Sequence, residues 1–268
     1  MSENKDFRDY YEIMDEYRPG SLEKTYRIKK KSSGEMRVIK RFNKKDDGHV
    51  LKHIDFPKVC NIMQLAEGEN HENENTIKYF ETFETDDEIA IVEELYDEDL
   101  SQLLKRKKAF NDQEIKVILN QLNNTFRIMC KNKIVHRDIR PTTIFINYKN
   151  ERKSEYIIKL GKYYFSDIIT NEYLDAMTGT VGYMAPEIRN GDKYNEKCDL
   201  WSLGILIYVL YFNEDPFKLN ALLSSDMEKL KKSSIYCLDD LIRKLLVIDP
   251  KERIGWAEYF EHPFFTGK

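Results

Sequence analysis

Residues 135–147 read VHRDIRPTTIFIN. Two apolar runs flank a short polar turn that opens with His136, Arg137 and Asp138. A carboxylate fixed on a rigid turn beside a cation is placed to act as a general base. The turn is therefore either a working catalytic element or one kept for its architecture after the chemistry has gone. Its surroundings have to decide.

Just upstream, Ile115, Ile118, Leu119, Leu122, Phe126 and Met129 recur at helical spacing within residues 111–133. Asn111 is the expected N-cap, with Glu114 as its capping-box partner. Downstream, 143–148 and 156–161 read as short strands. Towards the N-terminus, 24–42 alternates and breaks at Ser33-Gly34, which predicts a hairpin. A second hairpin is predicted over 76–95, turning at Thr85, Asp86 and Asp87. The acidity of that turn needs no explanation beyond solvation. A small β-rich part thus precedes a larger helical one. The apolar window WSLGILIYVLYF at 201–212 is shorter than the roughly 20 residues that cross a bilayer and reads as a buried core helix.

With 268 residues, 41% of them hydrophobic, the chain can bury a substantial core. A net charge of −4 with 34% charged residues leaves no dominant basic field, which argues against a nucleic-acid partner. The run KRKK at 105–108 reads as a solvated helix end. Cys60, Cys130, Cys198 and Cys237 lie far apart without a CxxC pair and read as reduced, half-buried thiols. The polar N-terminus is unlike a signal peptide. The expected compartment is the cytoplasm, with the nucleus second, and no membrane association is expected.

The amphipathic helix, the HRD turn, the two strands and GTVGYMAPE at 179–187 together resemble the eukaryotic protein-kinase domain of serine/threonine type. RVIK ends in Lys40, at the position of the family's strand lysine. CDLWSLG at 198–204 and DPKERI at 249–254 also fit, the latter supplying Arg253 as partner for Glu187. The similarity runs from about Tyr10 to Phe265. It implies an α+β, bilobal protein-kinase fold: a small β-rich N-lobe over 1–95 and a larger, mainly helical C-lobe over 96–268.

The resemblance also exposes departures. Kinase chemistry relies on metal ions bridging the phosphates, held by an asparagine after HRD and the aspartate of DFG. Those positions fall on Thr143 and Lys162, with Tyr163-Tyr164 at Phe-Gly. A hydroxyl is a poor metal ligand and an ammonium is none. Using Asp167 instead would require five extra residues and break the match of the preceding strand. The three glycine positions of the phosphate loop read Arg18, Gly20 and Glu23, and a carboxylate at Glu23 adds like charge beside a triphosphate. Val38 and Phe145 add volume where a purine would sit. Aligning Ile62-Met63 with the helix of the small lobe leaves Val59 where Lys40 expects a glutamate, and 67–75 reads as an insertion.

Glu93 stands at the normally apolar gatekeeper position. A lone buried carboxylate is costly, so it is expected to pair with Lys40, Lys162 or both. A strand register shifted by one would instead turn it to solvent. The residues left to hold a nucleotide, if one binds, are Lys40, Gly20, Lys162 and Glu94. No cofactor is expected; ATP stays open and magnesium is not expected. Asp138, with Arg140 two residues on, then reads as vestigial. The implied function is that of a pseudokinase acting as scaffold or allosteric regulator through a protein partner, such as an active kinase or its substrate. The alternatives are a metal-independent ATP switch, in which Lys162 replaces the metal charge, and a residual serine/threonine kinase.

Overall fold

The computed structural model describes residues 6–17, 23–45, 54–214 and 230–267. Alternating sequence in the first part produces a five-stranded antiparallel sheet: β1 (Tyr11–Glu16), β2 (Lys24–Lys30), β3 (Met36–Asn43), β4 (Tyr79–Glu84) and β5 (Glu88–Glu94). Its order is β1-β2-β3-β5-β4, and both expected hairpins are present. The pleat sorts the side chains. Ile39, Ala90 and Val92 pack outward with Phe7, Tyr11, Ile28 and Phe83. Val38, Lys40, Phe42, Ile91 and Glu93 share the inner face, because Val38 lies opposite Glu93 and Lys40 opposite Ile91. Both charged members of that set are buried, so the register that would turn Glu93 to solvent is not adopted.

Helix α1 (Phe56–Ala66) begins where Asp55 accepts the amide of Lys58, and Pro57 sits in its first turn. It buries Phe56, Val59, Ile62, Met63 and Ala66 along one stripe, and its sequence contains no acid. The stretch 67–75, which reads as an insertion, is firmly anchored. Asn73 donates to the Ala66 carbonyl (2.8 Å) and the Thr125 hydroxyl (3.0 Å). Asn75 donates to the Ile158 carbonyl (2.9 Å) and accepts from Asn124 (2.7 Å). Both are buried, so these bonds satisfy amides that would otherwise be costly.

The large lobe opens with a two-residue strand β6 (Glu98–Asp99) and helix α2 (Leu100–Lys107), whose basic last turn is exposed as expected but not merely solvated, since Arg106 pairs with Glu98 and Lys107 with Glu114. Helix α3 (Asp112–Lys131) carries the predicted capping box: Asn111 accepts the Glu114 amide (2.9 Å) and Glu114 accepts the Asn111 amide (3.0 Å). Replacing Asn111 by alanine is expected to cost about 1 kcal/mol, read as a lowered urea midpoint with unchanged m-value. Strands β7 (Ile134–Val135), β8 (Ile144–Tyr148), β9 (Tyr156–Leu160) and β10 (Asp167–Ile168) follow α3. After them come α4 (Pro186–Arg189), α5 (Lys197–Phe212), α6 (Tyr236–Leu245), α7 (Trp256–Phe260) and α8 (Pro263–Thr266).

Helix α5 is apolar and buried around nearly its whole circumference, as its sequence requires. Arg253 is buried against Glu187 in a bidentate pair (2.7 and 2.9 Å) and also donates to the carbonyls of Val247 and Lys197. Cys60, Cys130 and Cys237 are half-buried as expected. Cys198 differs: on α5 it is fully enclosed. Among the described residues, no helix is long and apolar enough to cross a membrane.

Candidate active site

The HRD turn connects β7 to β8 at the floor of the cleft between the lobes. The buried carboxylate of Asp199 on α5 accepts the backbone amides of His136 (2.6 Å) and Arg137 (2.8 Å). Arg137 adopts a left-handed conformation (φ 66°), which costs energy for a side chain of its size and is held by these bonds. Burial pushes the Asp199 carboxyl up to about 7 against the pull of the two amides, and pushes the fully enclosed His136 imidazole down to about 4. Nδ1 of the neutral His136 accepts the Asp138 amide (3.2 Å), so Nε2 donates to the Gly161 carbonyl (3.1 Å). Its ring packs on that of Tyr163, with centroids 5.0 Å apart.

The Asp138 carboxylate is engaged on both sides. It accepts from Arg140 Nε (3.0 and 3.1 Å) and from the Thr180 hydroxyl (2.6 Å). The Thr143 hydroxyl lies 2.9 Å from the carbonyls of both Asp138 and Arg140. Its hydrogen closes the turn, and the side chain does not reach into the cleft as a ligand.

Above this floor, among the described residues, side chains of the chain itself pack into the cleft. Lys40 and Glu93 are in direct contact, and both are 0% exposed. The contact is an ion pair without the alignment of a hydrogen bond, and no described group hydrogen-bonds to either charged end. The Lys40 ammonium lies over aromatic faces instead, 5.1 Å from the ring centroid of Phe145, 5.7 Å from that of Tyr164 and 6.0 Å from that of Tyr96. The Tyr96 and Phe145 rings approach to 4.1 Å and pack with Val38 and Ile77. Gly161 permits this arrangement, since a Cβ there would stand 2.8 Å from the Phe145 ring. Tyr17 covers the cluster, its hydroxyl donating to the carbonyls of Tyr96 and Asp97.

The second expected partner of Glu93 goes elsewhere. Lys162, left-handed at φ 59°, pairs with Glu23 at 2.8 Å. Glu23, expected to confront a triphosphate, is buried against that ammonium. Glu94 pairs with Lys159 (3.1 Å) and accepts from Asn147 (3.0 Å) and the Lys78 amide (3.2 Å). Asp167 lies on β10 between Lys58 (3.0 Å) and Arg137 (3.3 Å), away from the Lys40 cluster, so a shifted register brings no carboxylate to the cleft. Arg18 and Gly20 lie outside the described residues. Among those described, no group of three or more acidic, histidine or cysteine side chains is placed to hold a metal ion. Sequence reasoning missed Tyr17 and Tyr96. The one signal was an aromatic directly after the apolar and acidic run IVEEL.

A family model described as "Protein kinase domain" matches residues 11–265. The chain belongs to the protein kinase family. This kinase domain is 31% identical to "Probable serine/threonine-protein kinase fhkB" of Dictyostelium discoideum over 297 residues, covering 99% of the chain and 25% of that protein. It is 27% identical to human calcium/calmodulin-dependent protein kinase type IV over 273 residues, covering 97% of the chain and 55% of the relative. With serine/threonine-protein kinase cds1 of Schizosaccharomyces pombe it shares 28% over 255 residues, covering 87% and 50%. The kinase domain therefore spans between a quarter and just over half the length of these relatives.

Proposed function

We propose that this kinase domain is a pseudokinase that acts through protein binding and transfers no phosphoryl group. The observation that carries this reading is the buried Lys40–Glu93 pair beneath the rings of Tyr96 and Phe145. The strand lysine of an active kinase pairs with a glutamate of the small lobe's helix and still reaches the phosphates, whereas Lys40 pairs with Glu93 of the neighbouring strand β5 and is completely enclosed. Lys162 cannot ligate a metal and is neutralised by Glu23, while Asp138 is occupied by Arg140 and Thr180. The serine/threonine kinases related to this chain support a partner that is itself a protein, such as an active kinase or its substrate.

Thermal unfolding with millimolar ATP, run once with excess magnesium and once with chelator, tests the reading. The expected result is an unchanged midpoint in both, whereas a ligand at a hundredfold over its Kd adds about 2.7 kcal/mol. A magnesium-dependent rise, with phosphotransfer abolished in Asp138→Asn, overturns the proposal in favour of an active kinase. A rise only in chelator overturns it in favour of a switch in which Lys162 leaves Glu23 for the phosphates.

A further inference from the structure

Two lobes joined by one connector can rotate about it unless other contacts hold them. Here the small lobe is tied at three points, once to the connector itself and twice to the large lobe. Just after β1, the Tyr17 hydroxyl donates to the connector carbonyls of Tyr96 and Asp97. Just before β2, Glu23 pairs with Lys162, which follows β9 in the large lobe. On α1, Lys58 pairs with Asp167 of β10, whose other oxygen accepts from Arg137 of the catalytic turn. The Tyr17 bond stiffens the connector itself, and the ties at Glu23, before β2, and at Lys58, on α1, hold the large lobe at two separate places, so both resist rotation about the connector.

We infer that the chain's own side chains clasp the lobes closed without a ligand, so that α1 and the segment beginning at Asp167 form one permanently assembled surface. The inference rests on the filled cleft of the proposed function, and it adds how that state is held. The clasps differ in strength. Glu23 and Lys162 are largely withdrawn from water, with side chains 4% and 18% exposed, so their attraction is weakly screened. The Lys58–Asp167 pair is wetter, but Arg137 holds the same carboxylate from a buried position. The filled cleft reinforces both, because opening would expose the packed faces of Val38, Tyr96 and Phe145.

Hydrogen exchange of the nucleotide-free protein tests the clasp. In Glu23→Gln/Asp167→Asn, amides of α1 and of residues 95–98 are expected to exchange about tenfold faster or more than in the native chain. Asp15→Asn, which breaks an exposed pair with Arg27 on the same lobe, is expected to leave them unchanged. Rates in the double variant within about twofold of native overturn the clasp. If circular dichroism shows that the double variant does not fold, Tyr17→Phe carries the same comparison at 95–98 by removing one hydroxyl. No nucleotide enters this experiment. A native chain that binds ATP, but whose variants open, overturns the pseudokinase reading alone. Variants that stay closed, with no ATP response, overturn the clasp alone.

Discussion

Glutamine in place of Glu93 is expected to destabilise the protein by about 3–5 kcal/mol, a large share of the roughly 5–15 kcal/mol that holds an ordinary domain folded. The amide nearly matches the carboxylate in size, so the substitution opens no cavity. What it removes is, among the described residues, the only counter-charge in contact with an ammonium that is completely enclosed. The aromatic faces around Lys40 offset a part of that loss, on the order of 1–2 kcal/mol. They do not replace a full negative charge. Removing both partners reverses the expectation: Lys40→Met/Glu93→Leu leaves no buried charge and is expected to be neutral or up to about 4 kcal/mol more stable. Urea denaturation of Lys40→Met, Glu93→Leu and the double closes a thermodynamic cycle and isolates the pair. A Glu93→Gln cost below about 0.5 kcal/mol, the range of an ordinary surface substitution, would sink the pair as the feature that fills the cleft.

The same residues show what the sequence could and could not reveal. The hairpins of β2–β3 and β4–β5 and helix α3 were legible because their signals are local: alternation, apolar spacing and a cap at Asn111. That Glu93, at the gatekeeper position of the kinase resemblance, needs a cation if buried was legible too, because a lone buried carboxylate is costly; its burial waited on the pairing of β5 with β3. Which cation it meets was not legible. Lys40 and Lys162 were equivalent candidates, and the choice follows from Glu23, a residue 139 positions before Lys162 in the chain, reaching Lys162 first. Tyr96 escaped for a related reason. It lies in a connector between β5 and β6, where no alternation says which way a side chain points. The anchoring by Asn73 and Asn75 escaped as well, since polar residues in a row resemble a solvated surface until their bonds to Ala66, Thr125 and Ile158 are seen. Each miss lies where the partner is distant in sequence, and each partner was found only by packing.

Truncating Tyr96 to alanine is expected to cost about 3–5 kcal/mol, comparable to deleting other enclosed aromatic rings. The ring touches Phe145 face to edge at a tilt of 34° and shares a cluster with Val38, Ile77 and Tyr17, none of which can collapse far because β3 and β8 are fixed in their sheets. The space left behind is a flat slot with apolar walls. The flat base of a purine can stack on Phe145 in place of the lost ring. An uncharged purine nucleoside at millimolar concentration is expected to raise the unfolding midpoint of Tyr96→Ala and to leave the native protein unmoved. ATP is expected to do much less than the nucleoside for the same variant. Its phosphates would meet the carboxylates of Glu23 and Glu93, and both nearby ammonium groups are already paired. Calorimetric scans of native and variant with each ligand decide the matter. Equal stabilisation of the variant by nucleoside and ATP would mean that Lys40 or Lys162 can exchange its internal partner for phosphate, and that the charge pairs, unlike the Tyr96 ring, are no barrier to the nucleotide.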